Sequence, residues 1–448
     1  MEHYTSTLEL PLGLRKPVVL DHEGGNLTSD SGVLLLCQAD ARCGVTQAMA
    51  DAIADGRQQS KVSHSHWDLV RSRVLAIAAG YPDANDLDTL RHDPALKIAC
   101  GRCPELDPSL ASQPTLSRFE NSLSRSDLIR MGKSLAEQVI AQLPVATAKV
   151  YLDIDATDDR CHGQQEFEGF NSYYGHHCYL PLLVQLTDEE GTQWPVAALL
   201  RPGGTHPHAG VRMLLRNVVG MLRARFGKIE ITVRADSGFG CRRVLDCLER
   251  LKVLYAVGLA QNEVLENLGK PTQAKGLQKW AKRNDDGIAY GSVDYRAGTW
   301  KLYRRVVVKV EMISASPNAR YVVTNLWRLK SAAVYKLYCG RGEHENRIKE
   351  LKLDLSSGRT SCHGFLANQG RLLMHLGAYV LWTVVRAAAA GTQWEKAQVE
   401  TLRLQLLKVA ARVVESTRRI CIHLCSSYPH RDAWRHVEAN LRLPIPAT

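Results

Sequence analysis

At Lys149 the chain changes period. In Lys149-Val150-Tyr151-Leu152-Asp153-Ile154-Asp155 apolar side chains recur at every second position, the pattern of a strand with one buried face. Tyr179-Leu180-Pro181-Leu182-Leu183-Val184-Gln185-Leu186 predicts a second strand, and Gly191 turns the chain into a third, from Trp194 to Leu200. A helix follows, with Val211, Leu214, Leu215, Val218 and Leu222 on one face and Arg216, Arg223 and Arg225 opposite. Ile229 to Asp236 reads as a fourth strand that ends at Ser237-Gly238-Phe239-Gly240. A helix to about Lys252 and a fifth strand, Val253 to Leu259, complete the run. Strands alternating with helices after a meander restrict this part to an α/β layer structure.

Three strands in meander, then helix, strand, helix, strand, is the order of a ribonuclease-H-like core: a mixed five-stranded sheet with flanking helices. The flanks read differently. Residues 1–145 form an all-helical N-terminal domain after an extended arm, with Ser29 or Asp30 capping the helix that starts at Val33. Residues 146–260 hold the first part of the core. Residues 261–328 interrupt it with a Lys- and Arg-rich β insertion, whose strands fall at Ile288 to Val293, Thr299 to Ile313 and Arg320 to Trp327. The core resumes over 329–390. A helix fills 365 to 390 at its end, and residues 391–448 are a basic helical C-terminal region with a helix at about 393 to 440.

The formal net charge is +11, with Lys and Arg concentrated at Arg216 to Arg225, Lys301 to Lys309 and Arg403 to Arg435. That balance suits a polyanion, nucleic acid first, although excess positive charge also serves solubility alone. Hydrophobic content of 45% excludes a disordered chain. No stretch reaches the ~18 apolar residues of a spanning helix. The longest, Leu372 to Ala390, is broken by His375, Gly377 and Arg386. The N-terminus lacks the apolar core of a signal peptide, so a cytoplasmic protein without membrane contact is expected. Its 12 Cys are then thiols. Cys100-Gly101-Arg102-Cys103 is half of a zinc site, but no second CxxC exists to complete it.

Asp155 and Asp236 each end a strand, and adjacent strands would bring both carboxylates to one sheet edge. Late in the chain, Tyr338, Arg341, Glu345 and Lys352 fall within roughly 60° of one another if Tyr338 to Lys352 is one helix. That polar stripe is compatible with a salt-bridged surface helix, Arg341 to Glu345 at i,i+4. It also allows Glu345 to join the two aspartates. Three converging carboxylates need a cation, and oxygen donors select Mg²⁺ or Mn²⁺. Two such ions about 4 Å apart serve phosphoryl transfer on nucleic acid. Asp153, Asp158 and Asp159 compete with Asp155 for the first position. The Ser237-Gly238-Phe239-Gly240 turn has Arg243 where a dinucleotide loop has its third glycine, which argues against that reading.

These residues resemble the DDE transposases of bacterial insertion sequences, in the branch marked by a Tyr-x2-Arg-x3-Glu-x6-Lys (YREK) signature. Tyr338, Arg341, Glu345 and Lys352 reproduce that spacing. Leu152-Asp153-Ile154-Asp155-Ala156-Thr157 is similar to the first acidic motif and Ala235-Asp236-Ser237 to the second. Gly25 to Gly32 and Gly80 to Leu87 resemble the front part of one group in this branch. Ala156 departs from the Thr, Ser or Gly that relatives carry after the first Asp. The resemblance implies that Asp155, Asp236 and Glu345 hold two Mg²⁺, which Mn²⁺ can replace. It implies that Tyr338, Arg341 and Lys352 bind DNA phosphates, and that Trp300 or Trp327 receives a flipped base. It implies cut-and-paste transposition: hydrolytic nicking at the element ends, then strand transfer by the 3′-hydroxyl. The partners would be double-stranded DNA, terminal inverted repeats and target, held by the N-terminal domain and the tail of a homodimer, nucleoid-associated when bound. A nuclease on the same fold without strand transfer, and an idle DNA-binding protein, are the alternatives.

Overall fold

In the computed structural model, which describes residues 7–282, 286–313 and 316–442, the alternating stretch forms β1 (Lys149–Ala156). Val150, Leu152 and Ile154 are buried on one face, as their spacing predicts, but Asp153 and Asp155 are buried on the other. β1 lies inside the sheet, and a later helix covers its acidic face. β2 (Leu182–Thr187) and β3 (Gln193–Leu199) complete the meander, and β4 (Glu230–Ala235) and β5 (Leu254–Leu259) follow. β2 runs antiparallel to β1, whereas β4 is parallel to β1 and β5 parallel to β4. The helices Val211–Phe226 and Arg242–Arg250 make the crossovers.

The sheet has eight strands, not five. β6 (Ala289–Tyr295), β7 (Arg304–Ile313) and β8 (Ser316–Thr324) come from the insertion. β8 pairs antiparallel with β5, giving the order β6-β7-β8-β5-β4-β1-β2-β3. β5 would otherwise leave an unpaired edge, and Tyr321 to Thr324 of β8 cover it. The insertion is also not all β. It opens with a helix, Glu263–Trp280, whose first turn is capped by Asn262 accepting from the Leu265 amide at 3.0 Å.

The front part is mostly helical. His66–Ala78 and Arg125–Gln142 each begin with a capping box, Ser65 with Asp68 and Ser124 with Asp127. It also contains short strands, Leu8–Leu10 with Val18–Leu20, and Leu27–Thr28. Neither Ser29 nor Asp30 caps the helix Val33–Cys43; its N-cap is Gly32, with no side-chain bond. Asp30 instead accepts from the Tyr81 hydroxyl at 2.7 Å and pairs with Lys408 at 2.6 Å. A Cβ on Gly32 would run into the Leu406 carbonyl oxygen, so only glycine lets these backbones meet. The amides of Ser31 and Gly32 donate to the carbonyls of Val409 and Leu407 there.

The C-terminal region is therefore docked on the front domain, and the helix expected over 393 to 440 is replaced in its middle by a hairpin. Ala411–Ser416 pairs with Arg419–Leu424 on one side and with Leu27–Thr28 on the other. Val413, Val414, Ile420 and Ile422 favour strand, and the waiting edge of Leu27–Thr28 gives that preference a partner. The helix Phe365–Ala388 ties the halves together. It is largely apolar and almost wholly buried, and buries Asn368, Gln369, Arg371 and His375 along with its aliphatic residues. Trp382 donates to the Ala78 carbonyl at 3.0 Å, and Gln369 accepts from the Leu200 amide, just past β3, at 2.6 Å. Among the described residues, no helix is long and apolar enough to cross a membrane.

Candidate active site

β1 and β4 are in register with Ala235 opposite Ile154, so Asp236 and Asp155 leave the same edge of the sheet at the same level. Asp236 caps the single turn Ser237–Phe239, accepting from the Gly238 amide at 2.8 Å. Asp155 ends β1 with its Oδ1 on the Ala156 amide, 2.9 Å. Glu345 comes from the helix that covers this edge. Arg341 joins the two: its Nη1 lies 2.9 Å from Asp155 Oδ2 and its Nη2 2.6 Å from Glu345 Oε1. The i,i+4 pair therefore exists, but as half of a fork that also holds the first aspartate. Burial, and next the Asp236 charge, push the Asp155 carboxyl up to about 7, against the pull of Arg341. Asp236 is raised by burial, with the Gly238 amide and Arg341 opposing and Glu345 adding to the rise.

The Tyr338–Lys352 segment is not one regular helix. Ser331–Cys339 and Gly342–Lys349 are α-helical, and the chain tightens between them: the Arg341 amide donates to Tyr338 at 3.1 Å and His344 to Arg341 at 2.9 Å. A π turn, Glu350–Asp354, follows. It is braced by buried Glu350, which accepts from Arg347, Arg386 and Tyr379. The four-residue stripe consequently splits. Tyr338, half-buried beside Tyr335, stays near Arg341 and Asp236, and burial raises its hydroxyl first of all. Lys352 instead reaches past the end of β1, to Thr157 Oγ1 at 3.1 Å and Asp158 Oδ1 at 3.0 Å. His344, facing inward from the same helix, has neither ring nitrogen paired among the described residues. Burial and the nearby Arg341 and Arg234 push it down to about 3, so it is neutral.

Asp153 is fully buried and occupied. Arg234, its partner on the same β1–β4 rung, donates to both of its oxygens, at 2.7 and 2.6 Å. The guanidinium packs on the Tyr151 ring at 4.8 Å and donates to the Leu337 carbonyl at 3.3 Å. This pair sets the height of the helix over the sheet. A Cβ on Gly340 would collide with Arg234 Nη1, so Gly340→Ala is expected to lower stability by about 1–3 kcal/mol. Urea unfolding checks this; an unchanged midpoint would mean that the guanidinium has another seat. The pair was not singled out from the sequence. Its trace was there, in Asp153-x-Asp155 and Arg234-x-Asp236 on two strands that had to be neighbours.

Of the two tryptophans, Trp300 is buried, with Arg304 over its ring at 4.9 Å and Tyr295 against its edge. Trp327 is 62% exposed, just after β8. Cys100 and Cys103 are free thiols, and burial raises Cys100 to about 12. Among the described residues, no three His, Cys, Asp or Glu side chains stand close enough together to hold a metal ion. At the sheet edge a guanidinium supplies the positive charge instead. The donors fit a hard divalent ion in kind: they are oxygen only, and Asp155 carries a charge its surroundings resist.

A carboxylate-bearing sheet edge, a helix that brings a third carboxylate and an arginine to it, and a basic chain suit phosphoryl transfer on DNA. A comparison with curated proteins finds no match. A comparison with protein families matches residues 10–444 to transposase DDE domain group 1. The chain belongs to that family of DDE transposases, enzymes that act on DNA.

Proposed function

We propose that this transposase carries out cut-and-paste transposition of an insertion sequence, with Asp155, Asp236 and Glu345 as its catalytic residues, in the Tyr-x2-Arg-x3-Glu-x6-Lys branch. The observation that carries the reading is the Arg341 fork, which joins Asp155 on the sheet edge to Glu345 on the covering helix. The order β3-β2-β1-β4-β5, with β2 alone antiparallel to β1, supports a ribonuclease-H-like core extended by β8, β7 and β6. Two Mg²⁺ ions would be held by the three carboxylates and would supply an activated water or 3′-hydroxyl and a stabilised leaving oxygen. Arg341 offers a planar fork to a phosphate, Lys352 a point charge, and Tyr338 a hydroxyl. Trp327, exposed, is the better placed of the two tryptophans for a flipped base. The helical front domain and the basic C-terminal region would hold the terminal repeats, in a homodimer.

The test is a reaction on linear DNA carrying the element's own termini, with target plasmid and Mg²⁺. Excised element joined to target is expected. Nicks without joined product would reduce the protein to a nuclease. A second check uses no activity. The Asp155 carboxyl is raised from its ordinary 3.8, so the folded protein binds that proton more tightly than the unfolded chain. The stability this contributes is present below about pH 4 and is lost as pH rises to about 7. A divalent ion bound to the ionised site restores it. Millimolar Mg²⁺ is therefore expected to raise the melting temperature near pH 8 and hardly at all near pH 5.5, with the difference absent in Asp155→Asn. Equal Mg²⁺ shifts at both pH values would count against Asp155 as a ligand.

A further inference from the structure

All three ammonium protons of Lys352 are taken within the protein. They go to Thr157 Oγ1 at 3.1 Å, Asp158 Oδ1 at 3.0 Å and the Asp158 carbonyl oxygen. A phosphate can receive Lys352 only by displacing one of these acceptors. The Asp158 carboxylate is the costly one to leave, because it is half-buried and would lose a charged partner.

A second cation stands on the other oxygen of that carboxylate. His176, on the strand His176–Tyr179, has Nε2 3.0 Å from Asp158 Oδ2 and Nδ1 2.9 Å from the Tyr174 carbonyl oxygen. Both oxygens accept, so both ring nitrogens must donate, and the ring in this arrangement is the imidazolium. Burial raises the Asp158 carboxyl, but Lys352 above all, and His176 after it, bring it below its ordinary value. The row is thus cation, anion, cation. Its outer member is anchored, since this strand pairs with Asp159–Arg160 on one side and Gly169–Asn171 on the other. Four other titratable or charged groups are close. The Tyr174 ring lies 6.1 Å from His176. Cys178 and exposed Arg160 are paired on a neighbouring rung. Asp159 is buried with neither oxygen paired among the described residues, and burial pushes it up to about 7.

We propose that His176 is a positioning residue for Lys352: as the imidazolium it keeps Asp158 paired when Lys352 moves to a DNA phosphate, and as the neutral ring it does not. In the first state the transfer strands no charge. In the second it leaves a half-buried carboxylate facing a ring that has lost a proton, so Lys352 is retained. Histidine changes charge between about pH 5 and 8. The Lys352 contribution to DNA binding is therefore present at low pH and falls as pH rises through that range. The inference rests on the reading of Lys352 as a phosphate contact.

The measurement is affinity for a linear duplex carrying the element's own termini, at fixed ionic strength and without divalent ions. Each protein is compared with the same protein carrying Lys352→Ala, so the ratio isolates Lys352 from the other histidines. For wild type the ratio is expected to be about tenfold near pH 6 and about threefold or less near pH 8.5. His176→Gln, neutral throughout, should give the small ratio at both pH values. Asp158→Asn, which removes the carboxylate that retains Lys352, should give the large ratio at both. Structural damage would instead weaken binding in both variants. Asp159→Asn should keep the wild-type response. A pH response that survives His176→Gln overturns the proposal, and its loss in Asp159→Asn instead would give the role to Asp159. An equally large wild-type ratio at both pH values overturns it too, while leaving Lys352 on its phosphate. No ratio at either pH removes the phosphate contact itself, and the role of His176 with it.

Discussion

Glu345→Gln protein is expected to lose Mg²⁺-dependent cleavage by about a thousandfold or more, while its affinity for end DNA stays within about twofold. The substitution keeps size and removes one charge. It replaces one carboxylate oxygen with an amide nitrogen and makes the Arg341 contact neutral on that side, but Glu345 is half exposed and supports no packing. Stability should therefore stay near wild type, as for an exposed i,i+4 pair. Asp155→Asn should give the same catalytic loss. Gel-shift affinity, nicking rate and a melting curve on each protein check this. Equal loss of binding and cleavage would remove Glu345 from the ligand set.

Arg234→Ala is expected to lower stability by about 3–5 kcal/mol, because it strands the Asp153 carboxylate where water cannot reach it. Burial already raises that carboxyl against the pull of Arg234. Asp153→Asn should cost stability too, since the guanidinium is left with a neutral partner. The double change Asp153→Leu with Arg234→Met should recover most of the loss, as removal of a whole buried pair does. Denaturant midpoints complete the cycle. Asp153→Asn also tests the assignment of the first aspartate: abolished cleavage in a protein of unchanged stability would make Asp153, not Asp155, the residue at work.

The contrast between these two aspartates shows how far the sequence reaches. Both alternate onto the same face of β1, and both were candidates. Spacing places them but does not say what faces them. Arg234 is opposite Asp153 only because β4 pairs with β1 in that register, 81 residues apart in the chain. The same limit explains the eight-stranded sheet. The insertion strands were legible from their β-branched residues, but their pairing with β5 depends on which edge is open. The helix Glu263–Trp280 was missed because its apolar positions are sparse and Pro271 and two glycines interrupt it. The C-terminal hairpin was missed because its edge partner, Leu27–Thr28, lies at the other end of the chain.

What the sequence determined by itself is local or periodic: the strand at Lys149, the two acidic strand ends, the Tyr338 to Lys352 spacing, the largely apolar helix after Phe365, and the family they spell. These follow from the two periods of the backbone and from side-chain chemistry at fixed offsets. Only the tertiary structure decided which charges meet. It split the stripe, turning Lys352 to Asp158 through a π turn and leaving Arg341 between Asp155 and Glu345. Electrostatic partners are set by distance in space, and in a low-dielectric edge a few ångströms decide whether a carboxylate is held by an arginine or left for another cation.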